Sequence, residues 1–158
     1  MFHKTQAKFY SAELVDYGVY SQKETGDTFY DKKTIGGKWY GVIEDKLIKK
    51  TNLVTASIGT MFGVRYILKG NNKNEFLEVV NRVEFPSPYT ESKRVKRTHS
   101  EFTCTSETNE RLPSFFSFDS AEDLKEGAFD FVVLYEGKEL IRKRLIIQVA
   151  NKSVFTTP

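Results

Sequence analysis

Cys104 is the only cysteine in the chain, and His99 is one of two histidines, the other being His3. A thiol and an imidazole within hydrogen-bond reach would make a nucleophilic pair. His99 and Cys104, however, fall in a stretch that reads as extended. There an odd offset puts them on opposite faces, and five residues at about 3.3 Å each separate them by roughly 16 Å. Cys104 is therefore read as a structural thiol. Two histidines and one cysteine do not supply a zinc pattern of the usual spacing, so no metal is assigned. Carboxylates are plentiful, among them Glu75, Glu78, Glu84, Asp119, Glu122, Asp123 and Glu126, and any two that met in space could divide acid and base roles. Their spacing singles out no pair. Gly36-Gly37-Lys38-Trp39 has Trp where a phosphate-binding loop needs Ser or Thr after its lysine, and it reads as a turn. The Gly-x-Ser-x-Gly elbow of serine hydrolases does not occur. These patterns predict no catalytic residue and no cofactor.

Two stretches are candidates for partner contact instead. Lys93-Arg94-Val95-Lys96-Arg97-Thr98-His99 is the most basic, with Lys93, Arg94, Lys96 and Arg97 as its cations. In an extended chain Lys93 and Arg97 share one face and Arg94 and Lys96 the other, so the charge forms no single stripe. The segment reads as a solvated loop or edge strand, where basic residues discourage sheet-to-sheet association. If it binds, an anionic protein or glycan suits it better than nucleic acid. Trp39-Tyr40, within the Gly-rich span 35–41, reads as half-buried packing or, alternatively, as an exposed surface for stacking on sugars or anchoring an interface.

The elements that must position these residues alternate with period 2. Phe62, Val64, Tyr66 and Leu68 share one parity, and the strand they define ends at the turn formers Gly70-Asn71-Asn72-Lys73-Asn74. A second alternating run, 76–85, follows at once, and the two are expected to form an antiparallel hairpin. Pro86-Ser87-Pro88 is expected to end the second strand, because proline cannot donate to a ladder. A second hairpin is expected from Phe129, Phe131, Val133 and Tyr135, the turn Glu136-Gly137-Lys138, and a return strand over 139–149. There Lys143 breaks an apolar face, as a residue near an edge or a snorkelling lysine would. Weaker strands are expected over 8–20, 47–56 and 114–118. Residues 120–126 could form at most one short helical connector. About seven short strands with almost no helix predict an all-β fold, an antiparallel sandwich of two packed sheets spanning 1–158 as a single domain.

Several of these segments together resemble a known family. Asp16-Tyr17-Gly18-Val19-Tyr20, then Ile58-Gly59-Thr60-Met61-Phe62-Gly63-Val64-Arg65-Tyr66 with Gly70, then Val83-Glu84-Phe85-Pro86, and finally Gly127-Ala128-Phe129-Asp130-Phe131 and Gly137-Lys138-Glu139-Leu140 carry the likeness. The chain is similar to the uncharacterised bacterial family catalogued as domain of unknown function 3859. Where that family often has His before the mid-chain proline, Trp in the late glycine motif and Phe in the last strand, this chain has Phe85, Phe129 and Leu145. The resemblance implies a small immunoglobulin-like β-sandwich and carries no functional residues with it. Gly59 and Gly63, which bracket the entry to the strongest strand, read as fold determinants.

Composition bounds the rest. The chain has 158 residues, 24 Lys plus Arg against 21 Asp plus Glu, and a mean hydropathy of -0.45, values of an ordinary one-domain globular protein. Its aromatic share, 14%, suits strands. No run of apolar residues is long enough for a membrane span, and the first residues lack the apolar core of a signal peptide. The location expected of the sequence as written is cytoplasmic, or periplasmic if Met1 was set before a mature secreted chain. The functional expectation is a non-enzymatic binding or accessory module with a protein partner rather than a small molecule. The alternative is a carbohydrate-binding or carbohydrate-processing domain using Trp39, Tyr40 and nearby carboxylates. A third reading is a structural homo-oligomer made by edge pairing.

Overall fold

The computed structural model describes residues 10–30, 38–71, 73–91 and 95–150. The strands, in chain order, are β1 (Ser11–Tyr30), β2 (Lys38–Lys50), β3 (Leu53–Ala56), β4 (Met61–Lys69), β5 (Phe76–Glu91), β6 (Val95–Glu107), β7 (Arg111–Ser117), β8 (Gly127–Tyr135) and β9 (Lys138–Val149). A 3-10 turn at Ala121–Asp123 is the short connector expected before β8. Two sheets form, one ordered β2-β1-β4-β7 and the other β3-β9-β8-β5-β6. Every pairing is antiparallel except β3 with β9, which run parallel from Leu53 opposite Ile146 to Ala56 opposite Val149. Among the described residues no helix is long and apolar enough to cross a membrane.

Alternation places the core. Phe62, Val64, Tyr66 and Leu68 of β4 face Leu77, Val79 and Val83 of β5, Phe129, Phe131 and Val133 of β8, and Leu145 and Ile147 of β9, all buried. Phe62 meets Phe118, Phe129 and Phe131 edge-on, with ring centres 5.3, 5.3 and 6.0 Å away, the arrangement that ring quadrupoles favour. Removing each such ring from water contributes roughly 1.5–3 kcal/mol, so this cluster is what holds the sheets face to face. At the β8–β9 turn Glu136 and Gly137 both have positive φ, as a two-residue hairpin requires, and the predicted second hairpin is present.

The first expected hairpin is not. β4 belongs to the four-stranded sheet and β5 to the five-stranded one, so the chain crosses the sandwich between Lys69 and Phe76 instead of folding back. The β6–β7 connection crosses beside it and fastens it. Thr108 N–H donates to the Glu75 carbonyl at 2.8 Å, Glu75 N–H to the Thr108 hydroxyl at 2.9 Å, and Asn109 N–H to the Leu68 carbonyl at 2.9 Å. Tyr66 and Asn81, expected as members of paired strands, meet instead across the interior, where the Tyr66 hydroxyl donates to Asn81 Oδ1 at 2.7 Å. The Pro86/Pro88 stop also fails, since β5 continues to Glu91. Span 47–56 divides into the end of β2 and the separate β3; of span 8–20, residues 8 and 9 lie outside the described residues and 11–20 are the first part of the longer β1. Lys143 does turn aside, with Nζ 4.0 Å from the centre of the Tyr17 ring.

Each sheet's outer face also sinks a carboxylate under arginine. On the four-stranded sheet Asp16 stands opposite Arg65 in the ladder and accepts from its Nε at 2.8 Å and from the Tyr20 hydroxyl at 2.6 Å. Tyr20 stacks on Phe115 with ring centres 4.3 Å apart, roofing the pair. On the five-stranded sheet Asp130 accepts from Arg144 Nε at 2.8 Å and from Arg142 Nη1 at 3.0 Å, and Arg142 reaches on to Glu84 and Glu139.

Candidate functional site

The mid-chain prolines shape the end of the sandwich away from the crossing. Glu84 pairs with His99 and Tyr89 with Arg97, so residues 85–88 stand against Thr98 alone. Pro86 and Pro88 have no N–H to offer a ladder, and the chain accommodates both by bulging there rather than ending the strand. The bulge is seated on Gly127, whose φ is +130 and whose missing side chain leaves room for Pro86; a Cβ there would come within 2.5 Å of the proline's. Here a glycine of the late signature and the proline of the middle one are a single contact.

The bulge opens a cleft of about 490 Å³ lined by Phe85, Pro88, Tyr89, Thr90, Arg97, Ser100, Phe116, Glu122, Asp123 and Lys125. Its aromatic wall is continuous. Phe85 meets Tyr89 edge-on at 4.7 Å and lies 5.4 Å from Phe116, centre to centre. The Tyr89 hydroxyl donates to the Asp123 carbonyl at 2.6 Å, and burial together with the nearby Asp123 charge pushes its pKa up to about 12, so it stays protonated. Lys125 sits with Nζ 4.4 Å from the Tyr89 ring centre while donating to Ser87 Oγ at 2.8 Å and the Pro88 carbonyl at 3.1 Å. The Asp123 carboxylate accepts from the backbone N–H groups of Asp119 and Ser120 at 3.0 and 3.1 Å. Lys125 and Asp123 thus hold the cleft's shape, and what it presents outward is aromatic and proline surface with Arg97, Ser100 and Glu122 at its margin. A smaller hollow of about 230 Å³, lined by Gln22, Met61, Phe102, Pro113, Phe115, Phe116 and Ser117, lies along the same seam and shares Phe116 with it.

Among the described members of the basic run, Lys96 and Arg97 lie exposed on the edge strand β6, and Arg97 borders the cleft. Lys93 and Arg94 lie outside the described residues. Trp39 and Tyr40 are placed in β2, opposite Phe29 and Thr28, and their side chains lie outside the described residues. The cleft's described lining comes from β5, β6, β7 and the connection before β8. Cys104 donates to or accepts from Ser106 Oγ at 3.3 Å and receives Asn81 Nδ2 at 3.2 Å, while His99 pairs with Thr98 and faces Glu101. The sequence reading missed Phe85, Tyr89, Phe116 and Lys125. A signal for two of them was present, since aromatic residues flank the prolines in Phe85-Pro86-Ser87-Pro88-Tyr89.

A family model described as Domain of unknown function (DUF3859) matches residues 10–146. Among solved structures, the crystal structure of an immunoglobulin-like protein from Pseudomonas aeruginosa matches with a TM-score of 0.58 and 17% sequence identity, over 91% of this chain and 99% of that chain. A likeness at that identity establishes the immunoglobulin-like fold. No curated protein matches the sequence. Phe85, Phe129 and Leu145 adjoin one another, Phe85 lying 6.0 Å from Phe129 ring to ring and Phe129 standing opposite Leu145 in the ladder.

Proposed function

The chain belongs to the DUF3859 family, and from that premise we propose that it is a non-enzymatic recognition module whose cleft receives a segment of a protein partner. The observation that carries this reading is the wall of Phe85, Tyr89 and Phe116 beside Pro88, open to solvent at the end of a rigid sandwich. Aromatic and proline surfaces of this kind engage extended peptide segments by shape and by burial of apolar area. The charged groups nearest the wall support recognition over turnover, because Lys125 and the Asp123 carboxylate are committed to internal hydrogen bonds. Arg97 at the margin adds a cation that would favour a segment carrying a carboxylate.

A photo-crosslinking residue at position 89, introduced into the full chain and irradiated in cells of the source organism, tests the proposal. A single dominant protein adduct that is lost on Arg97→Glu is the expected result. Adducts confined to small molecules, or protein adducts indifferent to Arg97→Glu, would overturn it.

A further inference from the structure

The two sheets have four edges, and three carry features that prevent a further strand from adding. β3 is four residues long. β7 has Pro113 and Arg111, and β2 carries Lys38, Lys46, Lys49 and Lys50. Short strands, prolines and lysines are the ordinary guards of a sheet edge. The fourth edge, β6, is guarded at one end only. Its first residues bear Lys96 and Arg97, next to the bulge opposite residues 85–88. From His99 to Glu107 it pairs with β5 without a register shift, contains neither lysine nor proline nor glycine, and among the described residues has no strand on its other side. Phe102, in the middle of this stretch, is 52% exposed beside the smaller hollow.

The charges on β6 specify what fits that edge. Lys96 and Arg97 stand at its start, Glu101 in its middle and Glu107 at its end. A second copy added parallel would set like charge on like, whereas an antiparallel copy sets the basic start of each strand toward the acidic end of the other. With the two-fold axis at Phe102, each Phe102 faces its copy, Glu101 faces Thr103, Ser100 faces Cys104 and His99 faces Thr105, a register that sets no like charges directly opposite. The Phe102 rings then cover each other at the mouth of the hollow that Met61, Pro113, Phe115 and Phe116 line. We propose that the protein pairs with a second copy of itself through the 99–107 stretch of β6, antiparallel about an axis at Phe102, joining two five-stranded sheets into one continuous sheet.

Sedimentation velocity of the full chain over a wide concentration range tests this pairing. The wild type is expected to sediment as a dimer and Phe102→Lys, which sets two ammonium groups across the axis, as a monomer with an unchanged circular-dichroism spectrum. Lys96→Glu with Arg97→Glu should weaken the dimer by roughly tenfold or more, and adding Glu107→Lys should restore it. This rescue keeps the test valid even if Phe102→Lys fails to fold. A wild type that stays monomeric at every concentration would overturn the proposal, as would a dimer indifferent to both the Phe102 and the charge-exchange variants. So would β6 amides protected from hydrogen exchange only when a different protein is added, which would assign the edge to a foreign strand.

Discussion

Both sheets sink an aspartate beneath arginine on their outer faces, but Asp16 belongs to a closed pair and Asp130 to a shared ladder. Asp16 and Arg65 are 9% and 6% exposed and have each other, with Tyr20 completing the carboxylate's shell under the Phe115 ring. Asp130 is comparably buried at 7%, yet its partners Arg142 and Arg144 reach into solvent, and Arg142 divides itself among Asp130, Glu84 and Glu139. In a closed pair the loss of one member strands the other away from water. In a shared ladder the survivor turns to another carboxylate or to solvent. The same two residue types therefore make unequal contributions to stability.

The largest expected effect follows directly. Asp16→Ala leaves the Arg65 guanidinium buried and unpaired and should cost about 3–5 kcal/mol in urea denaturation. Asp130→Ala leaves Arg142 with Glu84 and Glu139 and should cost only about 1–2 kcal/mol. Equal losses would break the comparison. A smaller effect lies in acid. The Arg65 hydrogen bonds hold the Asp16 carboxyl below its usual range, and those of Arg144 and then Arg142 do the same for Asp130. A carboxyl whose folded pKa is lowered contributes stability that is complete above its unfolded value of about 3.9 and is lost as the pH falls through the folded value. The gap in urea midpoint between wild type and Asp16→Asn should therefore be widest near neutrality and narrow steadily in acid; a gap constant with pH would contradict the closed-pair description. The smallest effect is at the rim of the ladder. Glu139→Gln removes one of three carboxylates from Arg142 and should leave the thermal midpoint unchanged, whereas a clear drop would show the ladder to be as interdependent as the closed pair.

Much of this architecture is legible in the sequence because burial on one face imposes alternation. β4, β8 and β9 show it plainly, and the Glu136-Gly137 turn specifies its own hairpin. Partner choice is less legible. The apolar parity of Phe62 to Leu68 is satisfied whether β4 turns back onto β5 or faces it across the interior, and a link of residues 70–75 serves either course. The bonds from Thr108 and Asn109, brought in from more than thirty residues away, and that from the Tyr10 hydroxyl to the Glu75 carboxylate fix the crossing. β6 was visible only as an extended segment with a basic start, because an edge strand whose inner side lies over a seam needs no apolar period. The cleft was hidden for a different reason. Its wall joins Phe85 and Tyr89 to Phe116, neighbours only after the sheets have packed, and the two prolines that read as a stop instead create the opening. Arg97 was legible as part of a charged run but not as a residue bordering that opening.

The parallel pairing of β3 with β9 bears on how the chain assembles. Among the described residues Leu53–Ala56 has no other neighbouring strand in its sheet, and its partner lies at Ile146–Val149, with Gln148 bonded to Thr55 across 93 positions. Contacts so distant along the chain close slowly, since a long loop must be gathered before any of them forms. During synthesis Val54 and Ala56 therefore leave the ribosome well before the strand that covers them and stay without shelter until β9 has emerged. The nascent chain is thus most prone to off-pathway association in that interval, and a pause placed between these two segments would lengthen it.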